Sequence, residues 1–170
     1  ITAYDGQFLE YLGIQQFDDL AQYVPGLEIQ EQSANNPSFV IRGISSDSGA
    51  SNYEPRVSVF QDGISIARSQ GSFIELYDVE RVEIAKGPQS TLFGRSALMG
   101  AINVIQNKAS AEFDAKLTAG LGNYDYTIVS GHVNGNLVND KINGRFAFIS
   151  KQREGYIRNT FGGDGFNSVD

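Results

Sequence analysis

Cysteine is absent from the sequence, and histidine occurs once, at position 132. Without cysteine the chain has no disulfide, no thiolate metal ligand and no thiol nucleophile. His132 has no acidic or thiol neighbours at ligand spacing, so a polar role beside a turn or in a lumen is favoured over a metal site. We therefore expect neither a metal nor a cofactor.

Basic residues and long apolar runs are also scarce. Thirteen Lys and Arg stand against twenty Asp and Glu, giving a net charge of −7. There is no basic cluster, which excludes the usual footprint for nucleic acid and a polybasic membrane-surface patch. The uncharged apolar runs are far shorter than the roughly 20 residues of a transmembrane helix, a limit that leaves barrel strands of about 9–11 alternating residues open.

Catalytic motifs are missing as well. There is no Gly-x-Ser-x-Gly elbow, and Arg95 stands where a phosphate-binding loop needs lysine. An enzyme would have to use the acidic cluster of Asp62, Asp78, Glu80 and Glu83. Alternation along a strand sends Glu80 and Glu83 to opposite faces, which counts against shared acid–base work. We therefore do not expect an enzyme.

Glycine and aromatic residues are abundant: 19 Gly, 8 Tyr and 11 Phe favour a β-rich, turn-rich protein. The chain changes character near Lys108, which predicts one domain over residues 1–110 and a second part over 111–170. The first part is predicted to be a small mixed α+β domain. Its predicted helices or helical turns are 7–12, 18–24 and 72–77, and its predicted strands are 27–31, 39–42, 57–61, 81–86 and 101–105. The segment 43–56 is predicted to be a long loop.

The second part alternates apolar and polar residues through three runs, beginning near Phe113, Val129 and Ile142. Such runs predict three consecutive antiparallel strands. Strands of this length, apolar on one face and polar on the other, match the start of a transmembrane β-barrel. They match a half-exposed soluble meander equally well.

An ordered series of short motifs runs through the first part, and residues 19–108 closely resemble the plug domain of TonB-dependent outer-membrane receptors. The likeness departs from the family at Met99, where a Gly-Gly pair is usual, and at Gln61, where an apolar residue is common. The motifs are Val24-Pro25-Gly26-Leu27, Ile41-Arg42-Gly43, Asp62-Gly63, Glu80-Arg81-Val82-Glu83, Gly87-Pro88, Phe93-Gly94 and Gly100-Ala101-Ile102-Asn103.

The resemblance implies a gate inside an outer-membrane barrel of a Gram-negative bacterium. It implies uptake of a scarce ligand, most often a ferric siderophore or other iron chelate. The implied partners are a TonB-type periplasmic energy-coupling protein, the small-molecule ligand, and outer-membrane lipid around the barrel. Neither a partner-binding box nor a complete barrel is recognisable, so the chain is expected to be a piece of a larger receptor.

The resemblance also assigns roles to residues. Arg42 and Arg81 are expected to dock the plug by pairing with glutamates on the inner barrel wall. The loops 45–56 and 67–72 are expected to face the ligand. Their candidate contacts are Asp47, Asn52, Tyr53, Arg56, Arg68 and Gln70. Structural turns are expected at Asp62, Gly63, Gly87, Pro88, Gly94 and Gly100.

Two further alternatives stay open. The first is a stand-alone periplasmic plug-like binding module, in which residues 113–152 would pack on the protein's own core. The second is a receptor of the same family for carbohydrate, haem or cobalamin.

Overall fold

A computed structural model describes residues 1–33, 36–45, 56–66, 74–93, 97–138 and 141–155 of the chain. The chain divides into two compact units, with the boundary between Asn107 and Lys108. The elements in chain order are β1 (Thr2–Asp5), α1 (Gly6–Tyr11), α2 (Phe17–Ala21), β2 (Leu27–Ser33), β3 (Asn36–Ile41), β4 (Ile44–Ser45), β5 (Val57–Gln61), β6 (Ile64–Ile66), β7 (Val79–Lys86), α3 (Ser90–Phe93), β8 (Gly100–Gln106), β9 (Asp114–Leu121), β10 (Thr127–Val138) and β11 (Ile142–Gln152).

The first unit is built on two sheets. Five strands lie in the order β1-β7-β8-β5-β6, and three lie in the order β2-β3-β4. β5 runs parallel to β8, whereas the other pairs in the five-stranded sheet are antiparallel. The mixed α+β architecture predicted from the sequence is confirmed.

One face of the five-stranded sheet forms the main core. Alternate residues of the central strands, such as Val82, Ile84 and Ile102, are fully buried against residues of α2 and β3. Burying an aliphatic side chain of this size contributes roughly 1.5–3 kcal/mol before entropy is counted. This core therefore holds both sheets of the unit together.

The two short helices begin where side chains cap them. The Asp5 carboxylate accepts a hydrogen bond from the backbone N of Phe8 (2.7 Å), which starts α1. Asp19 accepts from the backbone N of Gln16 (3.3 Å) at the start of α2. The helices predicted at 7–12 and 18–24 are therefore confirmed, with ends displaced by one to three residues.

The strands predicted from 27, 57, 81 and 101 are confirmed, but three other predictions are wrong at least in part. Residues 74–77, the described part of the helical turn predicted at 72–77, are not helical. The backbone N of Leu76 donates to the Gln15 carbonyl (2.9 Å), so a long-range bond replaces a helical one. Arg42, predicted as the end of a strand, lies in a turn. The short strands β1, β4 and β6 were not predicted, and β4 (Ile44–Ser45) lies inside the segment 43–56 that was predicted to be a loop.

The second unit is a three-stranded antiparallel sheet in the order β11-β10-β9, as predicted. Its apolar face is exposed: Leu117 is 73% and Phe146 63% accessible to solvent. Its polar face contains the buried side chains of Ser130 and Asn134. A soluble meander turns such a face toward a core, and a barrel strand turns it toward lipid. Within the described part of the chain, no helix has the length and apolarity needed to cross a membrane.

Candidate docking and gating site

Arg42 occupies a strained position in a tight turn. The turn joins β3 to β4, with Ile41 paired to Ile44. Its two central residues, Arg42 and Gly43, have φ values of 55° and 77°. Two positive φ values define a type I′ turn, which favours Asn, Asp or Gly, and a long side chain in this region costs on the order of 1 kcal/mol. The Arg42 side chain is exposed and makes no ion pair with any residue that the structure describes.

The backbone of this turn is fixed to the segment before β2. The backbone N of Arg42 donates to the Gly26 carbonyl (2.8 Å). The Nζ atom of Lys86, at the end of β7, donates to the neighbouring Pro25 carbonyl (3.0 Å). Two of the motifs found in the sequence, Val24–Leu27 and Ile41–Gly43, therefore meet at one corner, where Lys86 also bonds.

Arg81 belongs to a row of hydrogen-bonded polar groups that runs from β7 across β8 to the turn between β5 and β6. We call this row the polar ladder; its members are Glu80, Arg81, Glu83, Asn103 and Gly63. The guanidinium of Arg81 contacts Glu80 and donates from Nε to Oε1 of Glu83 (2.8 Å). Asn103 Nδ2 donates to the other oxygen of Glu83 (3.3 Å), and Asn103 Oδ1 accepts from the backbone N of Gly63 (3.4 Å).

The ladder depends on a strand irregularity. The register of β7 on β8 shifts between Val79 and Arg81, where a β-bulge places one extra residue. Glu80 lies in this bulge, and both glutamates reach the same guanidinium. The expectation that alternation separates Glu80 from Glu83 is therefore wrong, because alternation fails at a bulge.

The hydrogen bond between Arg81 and Glu83 shifts the pKa of both side chains toward their charged forms. The hydrogen bond from Arg81 lowers the pKa of Glu83; partial burial opposes this shift, and the hydrogen bond from Asn103 assists it. The pKa of Arg81 is raised, chiefly by the same bond with Glu83. Glu83 is thus ionised at neutral pH, and a carboxylate held in this state serves as a hydrogen-bond acceptor rather than a general acid.

The Asp62-Gly63 turn is a second type I′ turn, joining β5 to β6 with φ values of 50° and 80°. Oδ1 of Asp62 accepts from the backbone N of Gln106 (3.0 Å). The backbone N of Asp62 donates to the Val104 carbonyl (2.9 Å). Asp62 therefore fastens the hairpin to β8. Asp78, the other acid considered for catalysis, is instead bonded to Asn107 (3.0 Å).

The remaining turn residues surround α3 and β8. Gly87 has a φ of 116°, precedes the exposed Pro88, and its backbone N donates to the Met99 carbonyl (2.9 Å). Gly100 lies where a Cβ atom would come within 2.5 Å of the Ile41 Cδ1 atom and 2.7 Å of the Ala85 carbonyl oxygen. Gly94 lies outside the described residues.

Of the candidate ligand contacts, the structure describes only Arg56. Arg56 is exposed immediately before β5, and its carbonyl accepts from the backbone N of Met99 (3.0 Å). The others, Asp47, Asn52, Tyr53, Arg68 and Gln70, lie outside the described residues. Among the described residues there is no group of three or more side chains suited to hold a metal ion.

Sequence reasoning missed Asn103 as a member of this site. Asn103 is 9% exposed in the middle of β8, whose other central residues are apolar. A buried amide needs hydrogen-bond partners, so a polar residue inside an apolar run was the available signal. Its partner Glu83 lies directly opposite on β7, which only the strand register reveals.

Comparison with known proteins gives a consistent family. The model of the TonB-dependent receptor plug domain matches residues 1–101. The pesticin receptor of Yersinia pestis is 33% identical over 115 residues, which are 66% of this chain and 16% of the receptor. The vitamin B12 transporter of Vibrio vulnificus is 26% identical over 155 residues, 87% of this chain and 24% of the transporter.

The solved structures agree. The crystal structure of the ferric yersiniabactin uptake receptor from Yersinia pestis is similar to this chain with a TM-score of 0.85 and 25% identity. The match covers 98% of this chain and 26% of that receptor, so the chain spans about a quarter or less of the length of the relatives it matches. The family-model match extends over more than half of the sequence. The chain belongs to the TonB-dependent receptors, and residues 1–101 are its plug domain.

Proposed function

We propose that this chain is the plug and the first barrel strands of an outer-membrane active transporter in a Gram-negative bacterium. The proposed ligand is a ferric siderophore or a related iron chelate. The observation that carries the proposal is the plug fold itself, matched by a family model and by an uptake receptor for ferric yersiniabactin. The exposed apolar face of β9–β11 supports a membrane location.

The mechanism is a ligand-biased conformational change without covalent chemistry. A ligand on the outer side binds one arrangement of the plug better than another and shifts the population toward it. A TonB-type periplasmic protein then remodels the plug and opens a path. An order–disorder or rigid-body change of this kind requires only differential contacts in the two states.

Arg42 and Arg81 are proposed to dock the plug through carboxylates on the surrounding barrel wall. The support is strongest for Arg42, which is exposed, strained, and has no ionic partner among the described residues. Strained backbone that persists in a fold is concentrated at functional positions. Arg81 is already bonded within its strand, so an outer carboxylate would join an existing ladder. The loops 45–56 and 67–72 are proposed to face the ligand, and this proposal is based on the family resemblance.

A cobalamin receptor is the second candidate, favoured by the 26% identity to the vitamin B12 transporter over 87% of this chain. The stand-alone periplasmic module is less well supported. It predicts that residues 113–152 pack on the protein's own core, whereas the match to an uptake receptor covers 98% of the chain, residues beyond the plug included.

Uptake by cells provides the test. A strain lacking the intact gene and a complemented strain are grown in low iron and given 55Fe-labelled siderophores or labelled cobalamin. Accumulation of an iron chelate that requires the gene and the membrane proton gradient would support the proposal. Gene-dependent uptake of cobalamin alone would replace it with the second candidate.

A further inference from the structure

Asn134, in the middle of β10, has a side chain that is hydrogen-bonded at both its oxygen and its nitrogen. It is 2% exposed although it lies on the polar face of the sheet. Its partners are in the segment 110–112, which we call the connector because it leads from the first unit's boundary into β9. All of these contacts lie within the second unit.

The Asn134 amide holds the connector as a strand neighbour would. The backbone N of Ser110 donates to Oδ1 of Asn134 (3.0 Å), and Nδ2 of Asn134 donates to the Ser110 carbonyl (3.4 Å). A pair of residues in an antiparallel sheet exchanges the same two kinds of bond. Nδ2 also donates to the Ser110 Oγ atom (2.8 Å) and to the Glu112 carbonyl (2.6 Å). The side chain therefore supplies the pairing that the backbone does not.

The position of Asn134 along the strand explains why this is needed. Backbone pairing of β9 with β10 ends at Asp114, whose partner is Asn134 itself. The connector precedes that point and lies outside the strand. Asn136, two residues further along the same face, instead bonds Asn143 across to β11 (3.4 Å). The described bonds of Asn134 therefore reach the connector.

We propose that Asn134 is a positioning residue that clamps the connector, holding it against the first barrel strands. When residues 1–107 move during gating, the connector then stays in place on β10. The inference rests on the proposed function as a gated transporter. The chain itself already joins residues 1–107 to β9 at Asp114, and the Asn134 bonds move the fixed point back to Ser110. A movement of residues 1–107 then cannot be taken up by the connector. The clamp would therefore assist energised transport without contacting the ligand.

The test uses the full-length receptor from the intact gene, with Asn134→Leu as the principal variant. Leu has the same number of side-chain heavy atoms but makes none of these bonds, in which the two N–H groups of Nδ2 are shared among three acceptors. Ser110→Ala is a milder second variant that removes only the Oγ contact. Ser130→Ala is the matched control, since Ser130 is buried on the same face of the same strand. Heat-modifiable electrophoretic mobility selects the receptors that have folded.

The first readout is hydrogen exchange of peptides that cover the connector, in detergent-solubilised receptor. We expect exchange at Ser110 to accelerate on the order of tenfold in Asn134→Leu, by less in Ser110→Ala, and not in Ser130→Ala. Unchanged exchange in folded Asn134→Leu receptor would overturn the clamp.

The second readout separates a clamp from general stability. Binding of the labelled iron chelate to non-energised cells is expected to be unchanged in Asn134→Leu, while its energised uptake falls several-fold. Full uptake despite lost protection would overturn the gating role. If wild-type cells neither bind nor import any iron chelate, the proposed function fails, but the exchange experiment still decides whether the clamp exists.

Discussion

The Nε atom of Arg81 lies 2.8 Å from Oε1 of Glu83, two residues along the same strand. This bond holds the guanidinium before any outside partner arrives. Arg42, by contrast, extends from a strained turn with no ionic partner among the described residues. The family resemblance gives both arginines the same docking role, but the structure holds them differently. The Arg81 guanidinium is fixed by its bond to Glu83, whereas the Arg42 side chain is exposed.

The docking proposal predicts a leak. In the full-length receptor, replacing Arg42 and Arg81 by alanine removes both proposed contacts with the barrel wall and should raise passive entry of large antibiotics several-fold. Arg42→Ala alone should have the greater single effect, since Arg81 keeps neighbours in its own strand. Antibiotic sensitivity at equal receptor abundance is the measurement. Lys108→Ala, which removes an exposed cation elsewhere, is the control, and unchanged sensitivity in the double variant would contradict docking.

The Glu83 pKa predicts a pH-dependent contribution to stability. Because the folded pKa is lowered, ionised Glu83 stabilises the fold above its unfolded pKa of about 4.3, and this contribution is lost as the pH falls through the folded value. Glu83→Gln should therefore cost about 1 kcal/mol near neutrality and progressively less on acidification. Urea unfolding in detergent micelles between about pH 3 and pH 7 measures the difference.

The control for this experiment is Glu28→Gln, an exposed carboxylate on β2 outside the polar ladder. Glu28→Gln should change the free energy of unfolding by less than about 0.5 kcal/mol at neutral pH. A Glu83→Gln difference that is constant with pH would show that the amide disturbs packing rather than charge.

Backbone strain at Arg42 predicts that replacing this arginine by asparagine stabilises the turn, although asparagine could not pair with a barrel carboxylate. Asn adopts positive φ more readily than Arg, so Arg42→Asn should stabilise the fold by about 0.5–1 kcal/mol, whereas Arg42→Ala should not. Asp62→Asn is the matched change in the other type I′ turn, where the native residue is already favourable, and should be near neutral. Denaturant midpoints of the three variants decide the question. A destabilised Arg42→Asn would mean that the arginine side chain contributes to the fold itself.

Local patterns sufficed where neighbours along the chain decide the structure. Alternation and flanking turn residues predicted β5 with its observed bounds and β7 and β8 within two residues. Residues 74–77 were mispredicted because a bond to Gln15, far away in sequence, decides their conformation. The bulge at Glu80 was likewise invisible, since a register shift is a property of two strands.

The sites followed the same division. Arg42 and Arg81 were found through motifs, but the polar ladder and the connector clamp join residues 20 and 24 positions apart. The only sequence signal for such pairs is an asparagine inside a predicted strand, as at Asn103 and Asn134. The two interpretations of β9–β11 were indistinguishable by periodicity, because both predict the same alternating strands.

Close approach at Gly100 predicts a steric cost. An added Cβ atom would meet the Ala85 carbonyl oxygen at 2.7 Å, and backbone in the centre of a sheet cannot yield cheaply. Gly100→Ala should therefore destabilise the fold by about 2 kcal/mol. Gly63→Ala isolates the conformational cost, expected to be about 1 kcal/mol: φ is 80°, and among the described residues nothing except its chain neighbours would lie within 4 Å of the added Cβ atom. Equal effects measured by urea unfolding would contradict the steric argument.

Adjacent residues of β9 test which face meets lipid. Leu117 and Thr118 are both exposed, at the same depth along one strand, but point to opposite faces of the sheet. If the apolar face contacts the bilayer, Leu117→Lys should lower folding stability by roughly 2–4 kcal/mol, because a charge is moved into hydrocarbon. Thr118→Lys, on the polar face, should change it by less than about 0.5 kcal/mol. Refolding of the full-length receptor into phospholipid vesicles, followed by heat-modifiable mobility across a urea series, gives both values. Equal tolerance of the two lysines would place the apolar face in water or against protein, and the membrane assignment of these strands would have to be withdrawn.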